Sequence, residues 1–516
     1  APDGSGSFEI AGFQGNFGGE TLNMDLKITE LDNPLINFRC HGALPLAACY
    51  GLLGSADISS GEGSLRINQL ELQGRYADML DMGRIAAVRA SGELQFENAG
   101  IAYKDVPLRI SAGRLRLADN LFVVDSLAMQ AGRSDFALLG SARNLLPVLF
   151  SDSLNTNNAL LEFSGELLCR QFDLSQLIEL FSVQESEAGG DQAALDSLRS
   201  AGNLDRQRLT DRLKGAFEMR IDALDYEKIQ VRNFQGNLAF DHNQLFVKGQ
   251  AQTMQGSIQL DGTAYFAISP TLKMRITASD IDLQTCLEQC QNFGQEVVTS
   301  ENLRGRLSGR VVLWAFWNEQ NEFLMDKLRA YADVQARNGQ LLGLKMLEDF
   351  STYVHLEDLR DVRFTDLQNY LEISNRRLYL PVMFIQNNAL NMALSGVHTF
   401  DNDIDYKIKV NIGQTLLQRL KGRDANFDPL PERRGWFNAY YSIVGNLDKY
   451  DMKSGKKTVK AEFERSEARK QRIAQAIQQE FTGAYSPPPE TGDDTEYLDP
   501  ITGGSGRPGA VRREQE

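Results

Sequence analysis

The sequence predicts a mainly β protein, an elongated and curled antiparallel β-sheet shaped as an open groove and built from repeats. A few short helices interrupt it, and a C-terminal helix plus a disordered tail follow it. Three observations carry this expectation. Most segments alternate apolar and polar residues with period two, Gly, Asn and Asp separate them, and the pattern recurs at a fixed interval. Period two places successive side chains on opposite faces of a strand, so each such segment builds one apolar and one polar face.

The alternation is legible along the chain. "SLRINQLELQG" sets Leu65 and Ile67, then Leu70 and Leu72, on one side. "GNLAFDHNQLFVKG" does so with Leu238 and Phe240, then Leu245 and Val247, and "GSIQLDGTAYF" with Ile258 and Leu260, then Ala264 and Phe266. "TLKMRITAS" adds Leu272, Met274 and Ile276. Gly92, Tyr103, Asn120 and Ser134 recur as Gly215, Tyr226, Asn243 and Ser257, each pair 123 positions apart (215−92 and so on). A looser third copy runs through "LEISNRRLYLPVMFIQNNALNMALSGVHTF", where Asn375 precedes an apolar strand and Gly396 closes the next.

These features divide the chain into strands of a truncated repeat (1–60), a first β repeat (61–184), a polar mobile insertion (185–211), a second repeat (212–330) and a third (331–452). A charged helix (453–482) and a disordered tail (483–516) complete it. Helical spacing predicts short helices over Leu174–Val183, Gln284–Phe293, Gly343–Val354 and Gly413–Gly422.

Composition narrows the function. With 516 residues and 42% hydrophobic content the chain supports a sizeable core, and a net charge of −15 opposes nucleic-acid binding, which needs clustered Lys and Arg. No apolar run reaches the roughly twenty residues of a membrane-spanning helix. The five cysteines, Cys40, Cys49, Cys169, Cys286 and Cys290, lack metal-ligand spacing, and Cys286 and Cys290 share one helical face. "DNDIDY" starts like a calcium loop but has Tyr406 and Ile412 where that loop requires Gly and Glu. "SGKKT" lacks the first glycine of a phosphate loop, and neither a nucleophile elbow nor a zinc-protease motif occurs. Trp314, Phe316 and Trp317 suit core packing better than a sugar platform. The basic residues between Lys453 and Arg472, interspersed with Glu462, Glu464 and Glu467, read as solvated ion pairs more than as a lipid-headgroup site. The residues give no sign of an enzyme, a cofactor or a metal.

What remains is the apolar strand face: Leu238, Phe240, Leu245, Val247, Ile258, Leu260, Phe266, Met274 and Ile276, continued by Leu380, Ile385, Leu390, Met392, Leu394, Ile408 and Val410. It is either one wall of a closed β-sandwich scaffold or the lining of a slot for an apolar ligand. A carbohydrate-active β-solenoid would repeat at about 20–30 residues, against the 123 observed here.

The run "FTDLQNYLEISNRRLYLPVMFIQNNALNMALSGVHTFDNDIDYKIKV", within residues 331–414, resembles the C-terminal region of the AsmA-like family, the AsmA/TamB-type bridge-like lipid carriers of the bacterial envelope. The shared pattern is an apolar strand, an Asn turn, an apolar strand ending in Gly, then a strand with Ile404, Asp405, Tyr406, Ile408 and Val410. In looser form the resemblance extends over residues 60–415. It implies a periplasmic groove that carries phospholipid acyl chains between inner and outer membranes, anchored to the inner membrane through a segment upstream of this chain. Phospholipids or other acyl lipids, and outer-membrane proteins, are the implied partners; a scaffold for outer-membrane protein assembly is the alternative.

Overall fold

The computed structural model describes residues 6–47, 58–103, 106–149, 159–176, 210–447 and 449–483, apart from 268, 295, 297, 320–321, 352–355 and 414–436. The expected tail beyond Gly483, most of the expected insertion, the helix over Leu174–Val183 beyond Gln176, the helix over Gly413–Gly422 beyond Gly413, and Cys49 lie outside the described residues.

Among the described residues, twenty-three strands form one long, open sheet. The first nine are β1 (Ser7–Phe17), β2 (Glu20–Thr29), β3 (Leu35–Pro45), β4 (Ile58–Arg75), β5 (Arg89–Tyr103), β6 (Val106–Ala118), β7 (Leu121–Ala131), β8 (Ser134–Arg143) and β9 (Leu161–Asp173). The middle of the sheet holds β10 (Leu213–Tyr226), β11 (Ile229–Asp241), β12 (Gln244–Thr253), β13 (Gly256–Tyr265), β14 (Thr271–Asp282), β15 (Leu303–Phe316) and β16 (Arg329–Leu342). Then come β17 (Asp361–Phe364) and β18 (Leu367–Ser374), which both pair with β16 as two halves of one interrupted strand. The sheet ends with β19 (Arg377–Ile385), β20 (Met392–Thr399), β21 (Asp403–Asn411), β22 (Asn438–Asn446) and β23 (Lys449–Ser454).

Apart from the β16–β18 junction, each strand pairs with the next in sequence. Tight turns make this possible: Asn375 and Arg376, at φ 51° and 57°, give the left-handed pair that a two-residue hairpin between β18 and β19 requires. One neighbouring pair is different. β9 and β10 run parallel, Phe163 beside Gly215 and Phe217 beside Gly165. This parallel joint gives β10 the direction of β5. In that orientation β10 ends 123 positions after β5, and β11 begins and ends 123 positions after β6. The repeat is therefore a translation along the sheet. At the joint each Phe lies over the other strand's Gly, and the two rings stack with centroids 4.9 Å apart.

Register keeps one face apolar across the sheet. Phe217 faces Leu238, Leu238 faces Val247, Val247 faces Gly262, Gly262 faces Met274 and Met274 faces Leu313. Where strict alternation would break this row system, a bulge repairs it. Ala278 pairs with Gly309 and Ile281 with Leu307, so three steps on β14 oppose two on β15; the bulge, with Asp280 at φ 54°, returns Ile281 to the apolar face. Gln69 at φ 45° serves the same purpose in β4, between the pairs Cys40–Leu70 and Gly42–Ile67. Bulges also sharpen local twist, which curls so long a sheet.

Two of the expected helices are shorter than their spacing predicts. The segment after β14 is helical over Leu283–Gln289 only, because Gln291, Asn292 and Phe293 adopt left-handed backbone at φ 51–55° and end it. The segment after β16 is helical over Lys345–Glu348.

The C-terminal helix, Lys456–Thr482, crosses the polar face from β15 to β22. Its sequence lacks internal Gly and Pro, and Val459, Ser466, Ile473 and Ile477 form its single buried stripe. Ile473 and Ile477 cover Val312, Trp314 and Phe316. Lys273, 2% exposed, is held there by Glu480 at 2.6 Å, so its desolvated charge is paired. Arg469 stacks on Tyr379 at 3.7 Å and faces Glu372, and Lys456 sits over Tyr440 at 5.9 Å. Ile477→Ala should cost about 2–5 kcal/mol, the usual range for emptying a closed core site. Hydrogen exchange should quicken in β15, β16 and the helix, while β1–β9 keep their protection, because a repeat sheet transmits stability only between neighbours.

Candidate functional site

Along β10–β14 the apolar face is, among the described residues, built from strands, with the helix Leu283–Gln289 at its rim, where Gln289 accepts from the N–H of Gln230 at 3.2 Å. Its buried centre, Cys169, Ile221, Phe234 and Ala251, packs, among the described residues, against side chains of β8–β13 such as Ile258 and Leu260. Leu238, Phe240, Leu245, Val247, Ile258, Leu260, Met274 and Ile276 are all half-buried on this face. Phe266 is half-buried just past β13, where its N–H donates to the carbonyl of Asn243 at 2.8 Å. The same face continues to β1, where Phe8 and Phe13 are 50% and 40% exposed.

The C-terminal part of the face is closed. The helices Lys345–Glu348 and Leu356–Arg360 bring Leu347, Phe350 and Leu359 down onto β19–β22, and Phe350 meets Tyr441 edge-on at 5.5 Å. Leu390, Met392, Ile408 and Val410 are buried in this core, with Leu380, Ile385 and Leu394 half-buried around it. Leu390 lies in a loop before β20 rather than in the strand. Asn387, wholly buried, shapes that loop by accepting from the N–H groups of Ala389 and Leu390 at 2.8 and 2.9 Å. Of the sequence-predicted lining, the residues of β11–β14 thus share an open face and those around β20 and β21 share a plugged end. The plug escapes a period-two reading because its helices are a single turn or little more. The outer helix had a signal, the spacing of Val459, Ser466 and Ile473.

The opposite face is polar. An open concavity of about 740 Å³ over β10–β14 is lined by residues such as Glu218, Arg220, Asn237, Lys248, Asp261 and Arg275, with Phe481 of the C-terminal helix at its edge. The exposed ion pair Arg66–Glu97 and the part-buried pair Arg310–Asp333 also lie on this face; an exposed pair contributes little to stability in water.

The other sequence features take structural positions. Asp401 and Asp403, in the turn and first residue leading β21, are engaged by Arg376 at 2.9 Å and Asn446 at 3.0 Å. Trp314 and Phe316 are buried beneath the C-terminal helix, and Trp317 contacts Phe323 with ring centroids 5.5 Å apart. No group of three or more His, Cys, Asp or Glu side chains arranged for a metal occurs among the described residues. Burial pushes the Cys169 thiol up to about 12, which makes it unreactive at neutral pH. At the rim, the Cys286 thiol donates to Cys290, which raises Cys286 and lowers Cys290.

No protein-family profile, curated protein or solved structure matches this chain. The functional reading therefore stands on the residues and their geometry. What that geometry offers is a long strip of apolar surface with an open middle, a closed C-terminal end and no described helix in the one large strand-built cluster between.

His398 lies on the apolar face opposite Leu378 and Ile404, 4% exposed, and its desolvation holds the imidazole below the ordinary value of 6.5. A depressed folded value means that the unfolded chain binds the proton first. The C-terminal end should therefore keep this contribution above pH 6.5 and lose stability as pH falls below it, by at most ~1.4 kcal/mol per pH unit. His398→Gln should flatten that acid-side slope in denaturant melts followed at pH 5 to 7.5.

Proposed function

We propose that this chain is a lipid-binding groove protein of the bacterial periplasm. Its apolar face holds phospholipid acyl chains and carries them between inner and outer membranes, in support of outer-membrane biogenesis. The observation that carries this reading is the unbroken apolar register of β1–β15, uncovered along β10–β14 by any described helix.

The physics favours such an occupant. Apolar surface left in water costs roughly 25 cal/mol per Å², and contiguous patches beyond a few hundred Å² mark interaction surfaces. Strands stand about 4.8 Å apart, so β1 to β14 extend for roughly 60 Å along the sheet. An acyl chain on this strip meets many similar side chains, Leu238, Val247, Leu260, Met274 and Ile276 among them, and no deep well. Many equivalent weak contacts permit movement along the row, as a carrier requires. The compartment, the anchor in the inner membrane and contact with outer-membrane proteins rest on the AsmA-like resemblance.

The decisive comparison is between faces of one strand. Leu260→Glu places a charge on the half-buried apolar side of β13, whereas Gln259→Glu places it on the exposed polar side. Met392 is unsuitable, since at 6% exposure in the plugged end a charge there probes folding. After expression in bacterial cells, solvent extraction and mass spectrometry should find diacyl phospholipid with the parent protein. Leu260→Glu should lower the lipid-to-protein ratio severalfold and Gln259→Glu should leave it unchanged. Equal ratios in both variants, with both folded, or a lipid-free parent, would favour a scaffold instead.

A further inference from the structure

The apolar face carries a recurring couple: a glycine on one strand and a large side chain on its neighbour that lies over it. A carbon added at Gly113 would stand 2.8 Å from Cδ2 of Phe96, its cross-strand partner. At Gly262 it would stand 2.6 Å from Sδ of Met274, again the cross-strand partner. At Gly165 and Gly215 the partners are Phe217 and Phe163, the reciprocal pair of the parallel joint. Side chains on a strand ordinarily stand away from the sheet. Here the missing Cβ lets each one lie down.

We propose that these couples set the depth of the groove: glycine keeps Phe96 and Met274 flat, as a floor, and so leaves room above them for acyl chains. The inference rests on the lipid reading and names the residues that would fix how much chain the face accommodates. Two features support it beyond the general packing of aromatic rings on glycine. The pattern includes the unbranched Met274 as well as phenylalanines, and all four of these large side chains remain half-buried, with part of their surface open on the apolar side. If they were raised, they would occupy the space that their neighbours Leu115, Leu127, Leu260 and Ile276 border.

Gly113 is the better test position because the three atoms nearest its added carbon all belong to side chains, whereas Gly215 would meet the backbone oxygen of Phe163 at 2.0 Å. The full chain would be titrated with phosphatidylethanolamine carrying a fluorescent acyl tail. Losing contact with about two methylenes should weaken binding roughly tenfold in Gly113→Ala and in Gly262→Ala. Gly113→Ala combined with Phe96→Ala should bind as Phe96→Ala alone does, and both should bind more tightly than Gly113→Ala, because without the ring the added methyl has nothing to raise. Unchanged affinity in folded glycine variants, or a double variant as weak as the single one, would overturn the inference. Should Gly113→Ala not fold, Gly262→Ala and its combination with Met274→Ala decide in the same way. A parent protein that fails to bind the probe overturns the lipid reading itself.

Discussion

Everything in this molecule depends on the backbone hydrogen-bond ladder holding its register from strand to strand. Side chains alternate with period two, so a slip of one residue anywhere would turn an entire strand's Leu, Ile and Phe to the polar side. The rows through Leu238, Val247, Gly262 and Met274 exist only because successive pairings agree. The bulges at Asp280 and Gln69 serve this constraint: each absorbs an extra residue and returns the next apolar side chain to its face.

A sheet of this length also has to manage direction. Five antiparallel strands end pointing as they began, and a sixth antiparallel strand would start the next repeat upside down. The parallel joint between β9 and β10 prevents that, and both repeats therefore present the same rims to the same sides. The Phe163–Phe217 stack, with each ring seated over a glycine of the other strand, fills the apolar side of this joint.

The two faces are then treated differently along the sheet. At the C-terminal end both are covered, the apolar one by Phe350 and Leu359 and the polar one by the long helix with Ile473 and Ile477. Between β10 and β14 the polar face meets solvent through charged and amide groups, while the buried centre of the apolar face is, among the described residues, packed by strand side chains. That contrast gives a stable end and an unsatisfied middle, the arrangement expected of a groove that receives an apolar ligand.

The sequence by itself determined what is local. Alternation marked the strands and their apolar sides, Asn375 marked a hairpin turn, and the 123-residue offset marked a repeat that recurs in the bounds of β5, β6, β10 and β11. The C-terminal charged helix was equally visible, whereas its buried stripe emerged with the structure. Tertiary structure alone decided which apolar residues are covered. Leu260 and Met392 carry the same alternating signature, yet one is half-buried on an open face and the other is 6% exposed beneath a plug. Period two reports the side to which a residue points, whereas burial depends on what the chain brings there from elsewhere, here the short segments around Phe350 and Leu359. The parallel joint and the glycine couples belong to the same class, because pairing partners distant in sequence leave no period to read.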